Sequence, residues 1–215
     1  MDWGVIVVNL PVLMRGLGLS FELAGITIAL SFPLGCLVAF ARISRRPWVA
    51  AGAALFVNAL RSNPLVLIIF WFYFLVPIIV GRPLGDLAST VIGFSAFFTA
   101  YFAEIVRSGI QSVGTAQVLA GLSTGLSQTQ TMRHIVLPQA LRAMVPALTT
   151  ECIIIFQATT VAYIVGYHEF LHTINTVVER TQRPIELYAF CAAVYLGICY
   201  AGSLLSRYFE KKGNR

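Results

Sequence analysis

"GTAQVLAGLSTGLSQTQTMRHIVLPQA", residues 114–140, interrupts a chain whose other long stretches are apolar. It is polar and patterned for helix, with no run that lipid would accept. In a 215-residue chain that is 58% hydrophobic, such a segment belongs outside the bilayer, and the runs on either side of it define the spans. The fold follows from counting those runs.

The mean hydropathy is +0.80 and 11% of residues are charged, whereas soluble domains carry about 25% charged residues. This is the composition of an integral membrane protein. A span takes about 20 apolar residues at about 1.5 Å rise each to cross roughly 30 Å of hydrocarbon. Five segments qualify: residues 19–41, 56–80, 90–108, 143–165 and 185–206. The expected architecture is therefore all-α, with about five transmembrane helices in a single transmembrane domain over residues 1–215. A helix pair in a loop at about 109–140 lies between spans three and four.

Stretches that share one side hold Arg42, Arg45, Arg46, Arg107, Arg133, Arg142, Arg207, Lys211, Lys212 and Arg215. The other side holds Arg15, Arg82, Arg180 and Arg183, with Arg61 unassigned. Ten against four places the first set in the cytoplasm by the positive-inside rule, with the N-terminus outside and the C-terminus inside. The net charge of +6 arises at the ends of spans and needs no nucleic-acid partner. The opening "MDWGVIVVNLPVLMRG" lacks a basic n-region and an A-x-A site, so no cleaved signal is expected. Cys36, Cys152, Cys191 and Cys199 sit in apolar runs without metal-ligand spacing. Pro33, Pro64, Pro77 and Pro146 fall within spans, where each removes a backbone donor and kinks its helix.

Within the polar segment, Thr115 is placed to cap a short helix running to about Thr124, with Val118, Leu119, Leu122 and Leu126 at helical spacing. Gly125 ends it, because glycine accepts positive φ without steric cost. Ser127 and Gln130 then spell the S-x-x-Q capping box of a second helix, which carries Met132, Ile135 and Val136 on one face and is expected to stop before Pro138.

The run "AEIVRSGIQSVGTAQ…GLSTGLSQTQTMRHIVLPQALRAMVP" resembles the cytoplasmic coupling loop of ABC importer permeases of the polar amino acid subfamily. "LRSNPLVLIIFWFYFLVP" upstream and "FQATTVAYIVGYHEF" downstream resemble the same subfamily at the expected distances, so the likeness spans roughly residues 19–207. It implies a permease subunit of an ATP-driven importer in a bacterial inner membrane. Implied partners are two ABC ATPase subunits, a second permease, identical or homologous, and an extracytoplasmic amino-acid-binding protein. The chain has no G-x-x-x-x-G-K-[ST] loop. It is expected to bind no cofactor and perform no catalysis, ATP and Mg²⁺ belonging to the partner. The resemblance makes Leu119, Ala120, Gly121, Gly125, Leu126 and Ser127 the ATPase-coupling residues. It also shows a departure, since the family carries a glutamate and two alanines where this chain has Leu119, Ala120 and Gly121.

Polar residues in or beside spans are costly and mark function. Arg61, Asn63, Glu104, Glu151, Gln157, Thr159 and Thr160 are the candidates for a substrate pathway. The Arg61 guanidinium suits an amino-acid carboxylate in bidentate fashion; the competing reading has it snorkel to the interface or pair with Glu104. Gln157, Thr159 and Thr160 either bridge helices or meet a polar ligand. The wording of "RSNPLVLIIFWFYFLVP" and "LRAMVPALTTE" is closest to permeases for glutamate and aspartate.

Two other classes compete. "HEFLH", residues 168–172, matches the H-E-x-x-H of zinc proteases, with Glu179 or Glu186 as a third ligand. The plainer reading is an extracytoplasmic helix with two solvated histidines and no metal. An ion-coupled secondary carrier would show internal repeat symmetry and midplane ion sites, neither of which the sequence displays.

Overall fold

The computed structural model describes residues 3–82 and 85–213, with side chains described as far as Tyr208. Arg215 and the side chains of Lys211 and Lys212, counted above among the cytoplasmic charges, lie outside the described residues. Among the described residues every regular element is helical.

Helix α1, Gly4–Arg42, has 39 residues, or about 58 Å at about 1.5 Å per residue. The expected span at 19–41 covers only its second part. The helix continues back through Arg15 and Pro11 because another helix, described below, packs against that half. Next, α2 (Pro47–Arg61) and α3 (Leu65–Val80) are bent by 105° at the break between them. The expected single span at 56–80 is thus corrected to a broken one. Pro64 has no N–H and sits in extended backbone, and the residue before a proline is pushed out of helical geometry. The kink read at Pro64 is a full break.

Helix α4, Asp86–Ser112, is the central element and buries three phenylalanines, Phe94, Phe98 and Phe102, almost completely. It packs against α1 most extensively. Gly35 of α1 allows the close approach, since a Cβ there would stand 3.1 Å from the Ala103 backbone nitrogen. Small residues at such crossings matter because dispersion and close packing, rather than water exclusion, hold helices together in lipid.

After the short α5 (Thr115–Ser123) comes α6, Gln128–Val165, a 38-residue helix. Here the expectation of a second short helix ending before Pro138 is corrected: the helix runs on into the membrane. A π-helical turn at Met132–Val136 immediately precedes Pro138, and another, Trp71–Leu75, precedes Pro77. A widened turn accommodates a residue that lacks a donor and crowds the preceding carbonyl, so the helix survives its proline. The last part of α6, Thr159–Val165, tightens to 3-10. Helix α7 (Phe170–Thr181) is short and amphipathic, and α8 (Pro184–Gly213) closes the chain.

Four helices, α1, α4, α6 and α8, are long and apolar enough to cross a membrane, and the count is five when the bent α2–α3 pair is taken as one span. Helix α8 leaves Leu196 and Tyr200 outward, the surface expected of a helix facing lipid or another membrane protein.

Candidate functional site

The α5–α6 junction is built from three local devices. Helix α5 ends in a Schellman motif: the Leu126 amide donates to the Gly121 carbonyl at 3.3 Å and the Gly125 amide to the Leu122 carbonyl at 3.0 Å. Gly125 holds φ +85°, the left-handed region. Two residues later the capping box is complete, with the Ser127 hydroxyl accepting from the Gln130 amide and the Gln130 side chain accepting from the Ser127 amide. Thr115 does not cap: Gly114 occupies the cap position and Thr115 is already helical, so that expectation is corrected. Glycine leaves the first-turn amides without a side-chain acceptor there.

The six residues expected to couple to the ATPase divide by the direction they face. Leu119 is 61% exposed, while Gly121 is buried against α6, where an added Cβ would lie 2.6 Å from Ile135 Cδ1 and 2.9 Å from Thr131 Cγ2. Gly121 therefore sets the spacing between the helices, and Leu119 is offered outward. Ala120 and Leu126, like Ser127, lie on or beside the turn. Residues 113–142 contain no Asp or Glu, and their charges are Arg133 and Arg142. Arg45, from the α1–α2 connection, donates to the Gln128 side chain. The junction is thereby tied to the end of α1.

Nearby, the Glu104 carboxylate of α4 gathers three arginines. Arg42 and Arg107 donate to it directly, and Arg61 lies 3.6 Å away. The Arg61 guanidinium also rests over the Tyr101 ring, 5.3 Å from its centroid. This places Arg61 with Arg42 and Arg107, on the side of the chain where the sequence left it unassigned. Arg107 was readable as an i,i+3 partner of Glu104. Arg42 was not, because it stands 62 residues away on another helix.

A turn-linked helix pair between membrane spans, one face packed and the other offered outward, is what the comparisons with known proteins bear on. The family described as binding-protein-dependent transport system inner membrane component matches residues 31–214. The chain belongs to that family. It is a permease subunit of an ABC amino-acid importer, a transport subunit and not an enzyme, the ATPase being a separate chain. The glutamate/aspartate import permease protein GltK of Escherichia coli O157:H7 is 37% identical to it over 98% of this chain and 97% of that protein. The glutamine transport system permease protein GlnP of Escherichia coli strain K12 is 29% identical, over 98% and 97%. Among solved structures, an amino acid ABC transporter with histidines shares the fold with a TM-score of 0.93 at 24% identity, over 99% of each chain.

The remaining polar candidates of the permease do not form one cluster. Glu151 is 6% exposed and its Oε1 has no hydrogen-bond partner. Asn63 donates to the Ala59 carbonyl at 2.7 Å, closing the end of α2. The Thr159 and Thr160 hydroxyls donate back to Phe156 and Gln157 carbonyls of their own helix at 2.7 Å and 2.8 Å. Gln157 is exposed and donates to the Cys199 sulfur at 3.4 Å, bridging α6 to α8. Glu104 and Arg61 are brought together, and Gln157 to Thr160 lie further along α6 from Glu151.

"HEFLH" is not a helical H-E-x-x-H. His168 precedes α7, and Glu169 is its N-cap, fully buried, with its carboxylate accepting from the Leu171 and His172 amides at 2.8 Å each. Ser20 of α1 donates to Glu169 at 3.4 Å and accepts from the Phe170 amide at 3.1 Å. Burial holds the Glu169 carboxyl above its ordinary range, against the lowering effect of these donors. That carboxylate is committed to capping and interhelix contact, away from the role of a water-activating base. Glu179 and Glu186 do not complete a cluster of three metal-ligating side chains, and none occurs among the described residues.

Proposed function

We propose that this permease pairs with a second permease, identical or homologous, to form the membrane path of an importer for an acidic amino acid, glutamate or aspartate. Two ATPase subunits would drive it, ATP and Mg²⁺ binding there, and an extracytoplasmic binding protein would deliver substrate. The N-terminus lies outside and the C-terminus in the cytoplasm, which puts the α5–α6 junction on the ATPase side. The observation that carries this reading is the junction itself, where a left-handed Gly125 and a complete capping box hold a short helix with Leu119 exposed. Closure of the ATPase subunits would push on α5, and the continuous α6 would carry that push into the membrane as one rigid body, with alternating access as the result.

Because Leu119 replaces the family's glutamate, docking at this position relies on apolar burial and shape rather than on an ion pair. Arg61 supplies the carboxylate contact in the path, with Glu104, Asn63, Glu151, Gln157, Thr159 and Thr160 as further polar positions along it. The acidic preference is supported by the relative named for glutamate and aspartate, covered over nearly its whole length. The test is uptake of labelled glutamate, aspartate, glutamine and arginine by the complex purified with its partner chains and reconstituted in vesicles. Glutamate and aspartate uptake that depends on ATP supports the reading. A preference for glutamine or arginine overturns the substrate class, and uptake without ATP overturns the importer class.

A further inference from the structure

A cavity of about 540 Å³ opens between the first half of α1 and helix α7, at the far end of α1 from the Glu104 cluster. Arg15 stands 27 residues before Arg42 in one helix, which at about 1.5 Å per residue separates them by about 40 Å. That distance matches the roughly 40–45 Å thickness of a bilayer with its headgroups. The cavity thus lies at headgroup depth on the face opposite the α5–α6 junction.

Its lining includes Arg15, His168, His172, Thr176 and Arg180, beside apolar positions such as Val12, and contains no carboxylate. Arg15 and Arg180 form no ion pair among the described residues. The one acid closest in sequence to the histidines, Glu169, has its carboxylate occupied by the Leu171 and His172 amides and Ser20. The Nδ1 of His172 is buried without a hydrogen-bond partner, and its ring lies 4.4 Å from that of His168, centroid to centroid. Burial and then His168 hold the His172 pKa below its ordinary value, with Glu179 opposing, so the lasting positive charge comes from the two guanidiniums.

Two guanidiniums without an ion pair beside an acid-free cavity make a positively charged site suited to an oxyanion. We propose that this cavity binds a carboxylate or phosphate group, either the headgroup phosphate of an anionic lipid or a free anion reaching the outer face. The apolar flank at Val12 suits either a glycerol backbone or the methylenes of a small dicarboxylate. The site is independent of which amino acid the complex imports.

The test uses the complex purified with its partner chains in nanodiscs of phosphatidylcholine with or without phosphatidylglycerol. Retained phosphatidylglycerol is read by native mass spectrometry, binding of sodium glutamate by saturation-transfer NMR, and binding of inorganic phosphate by phosphorus-31 line broadening. Arg15→Gln with Arg180→Gln should cut binding of at least one probe about tenfold, while Arg183→Gln, which removes a charge outside the cavity, leaves it unchanged. Both replaced side chains are on exposed residues, so the unfolding temperature should hold and certifies the variant. Loss confined to phosphatidylglycerol assigns the lipid, and loss confined to glutamate or phosphate assigns the free anion. Equal binding by wild type and double variant on all probes refutes the site, as does a photo-crosslink from a benzophenone side chain placed at Thr176 to a partner chain, which would show the cavity filled by protein.

Discussion

Arg61 lies 3.6 Å from the Glu104 carboxylate that Arg42 and Arg107 already bind. Glu104 is therefore neutralised more than once over, and Arg61 is the member least needed for its charge balance. Its side chain remains 39% exposed, so part of the guanidinium is free to meet something else.

Arg61→Lys should consequently leave expression and stability unchanged but lower substrate uptake by about tenfold, since an ammonium cannot reproduce a two-pronged carboxylate contact or lie as well over Tyr101. Glutamate uptake by reconstituted wild type and variant measures this. Equal uptake would reduce Arg61 to an interfacial anchor.

Gly125→Val should separate ATP hydrolysis from transport. No atom lies near enough to clash with a new Cβ, so the penalty is conformational: an L residue at φ +85° pays roughly 1–2 kcal/mol, and a β-branched one more. The turn would relax, and α5 would lose its angle to α6 while the spans still insert. Hydrolysis and uptake, assayed on the same vesicles, should part company; a variant that transports like wild type sinks the hinge role.

At Gly121 the penalty is steric instead. Gly121→Val drives new methyls into Thr131 and Ile135, and overpacking of this kind costs about 1–3 kcal/mol. Thermal unfolding of the detergent-solubilised complex should shift down, with assembly to the ATPase weakened. Ile135→Ala, which opens the same space, should restore part of the loss when combined with it.

Glu169 gives a pH signature. Its carboxyl is held above the ordinary value of 4.5, burial being the main cause. A raised folded-state value means that the favourable contribution is fully present below the unfolded value and is lost as pH rises through the folded one. Relative to Glu169→Gln, wild-type stability should therefore fall as pH is raised from about 4 toward neutrality. Unfolding temperatures of both forms across that range provide the check, and a wild-type advantage that grows with pH would refute the burial argument.

Several features were legible in the sequence because they are local. The all-helical membrane class follows from apolar runs of about 20 residues. The Gly125 turn and the Ser127–Gln130 box follow from hydrogen bonds spanning only a few residues, and the structure reproduces both. Pro64 was visible as a kink for the same reason, although the full 105° break was not, since the direction in which a freed chain turns depends on what it packs against.

Local reading misjudged helices whose ends are decided elsewhere. Pro138 reads as a stop, yet a π turn absorbs it and α6 continues to Val165, 38 residues in all. The first span reads as starting at Leu19, yet α1 begins at Gly4, and α7 is tied to that half of α1 through Ser20 and Glu169. "HEFLH" matches a metal motif in its letters alone, because spacing along a chain carries no information about where a carboxylate is spent. By itself the sequence determined the class of protein, the apolar runs that make its membrane helices and the Gly125 turn. Only the tertiary structure decided that Arg42 reaches Glu104 across 62 residues, that Gly121 faces inward while Leu119 faces out, and that Glu169 is buried. Those outcomes depend on which helix faces meet, and in lipid that choice rests on close packing and a few buried polar contacts between segments far apart in the chain.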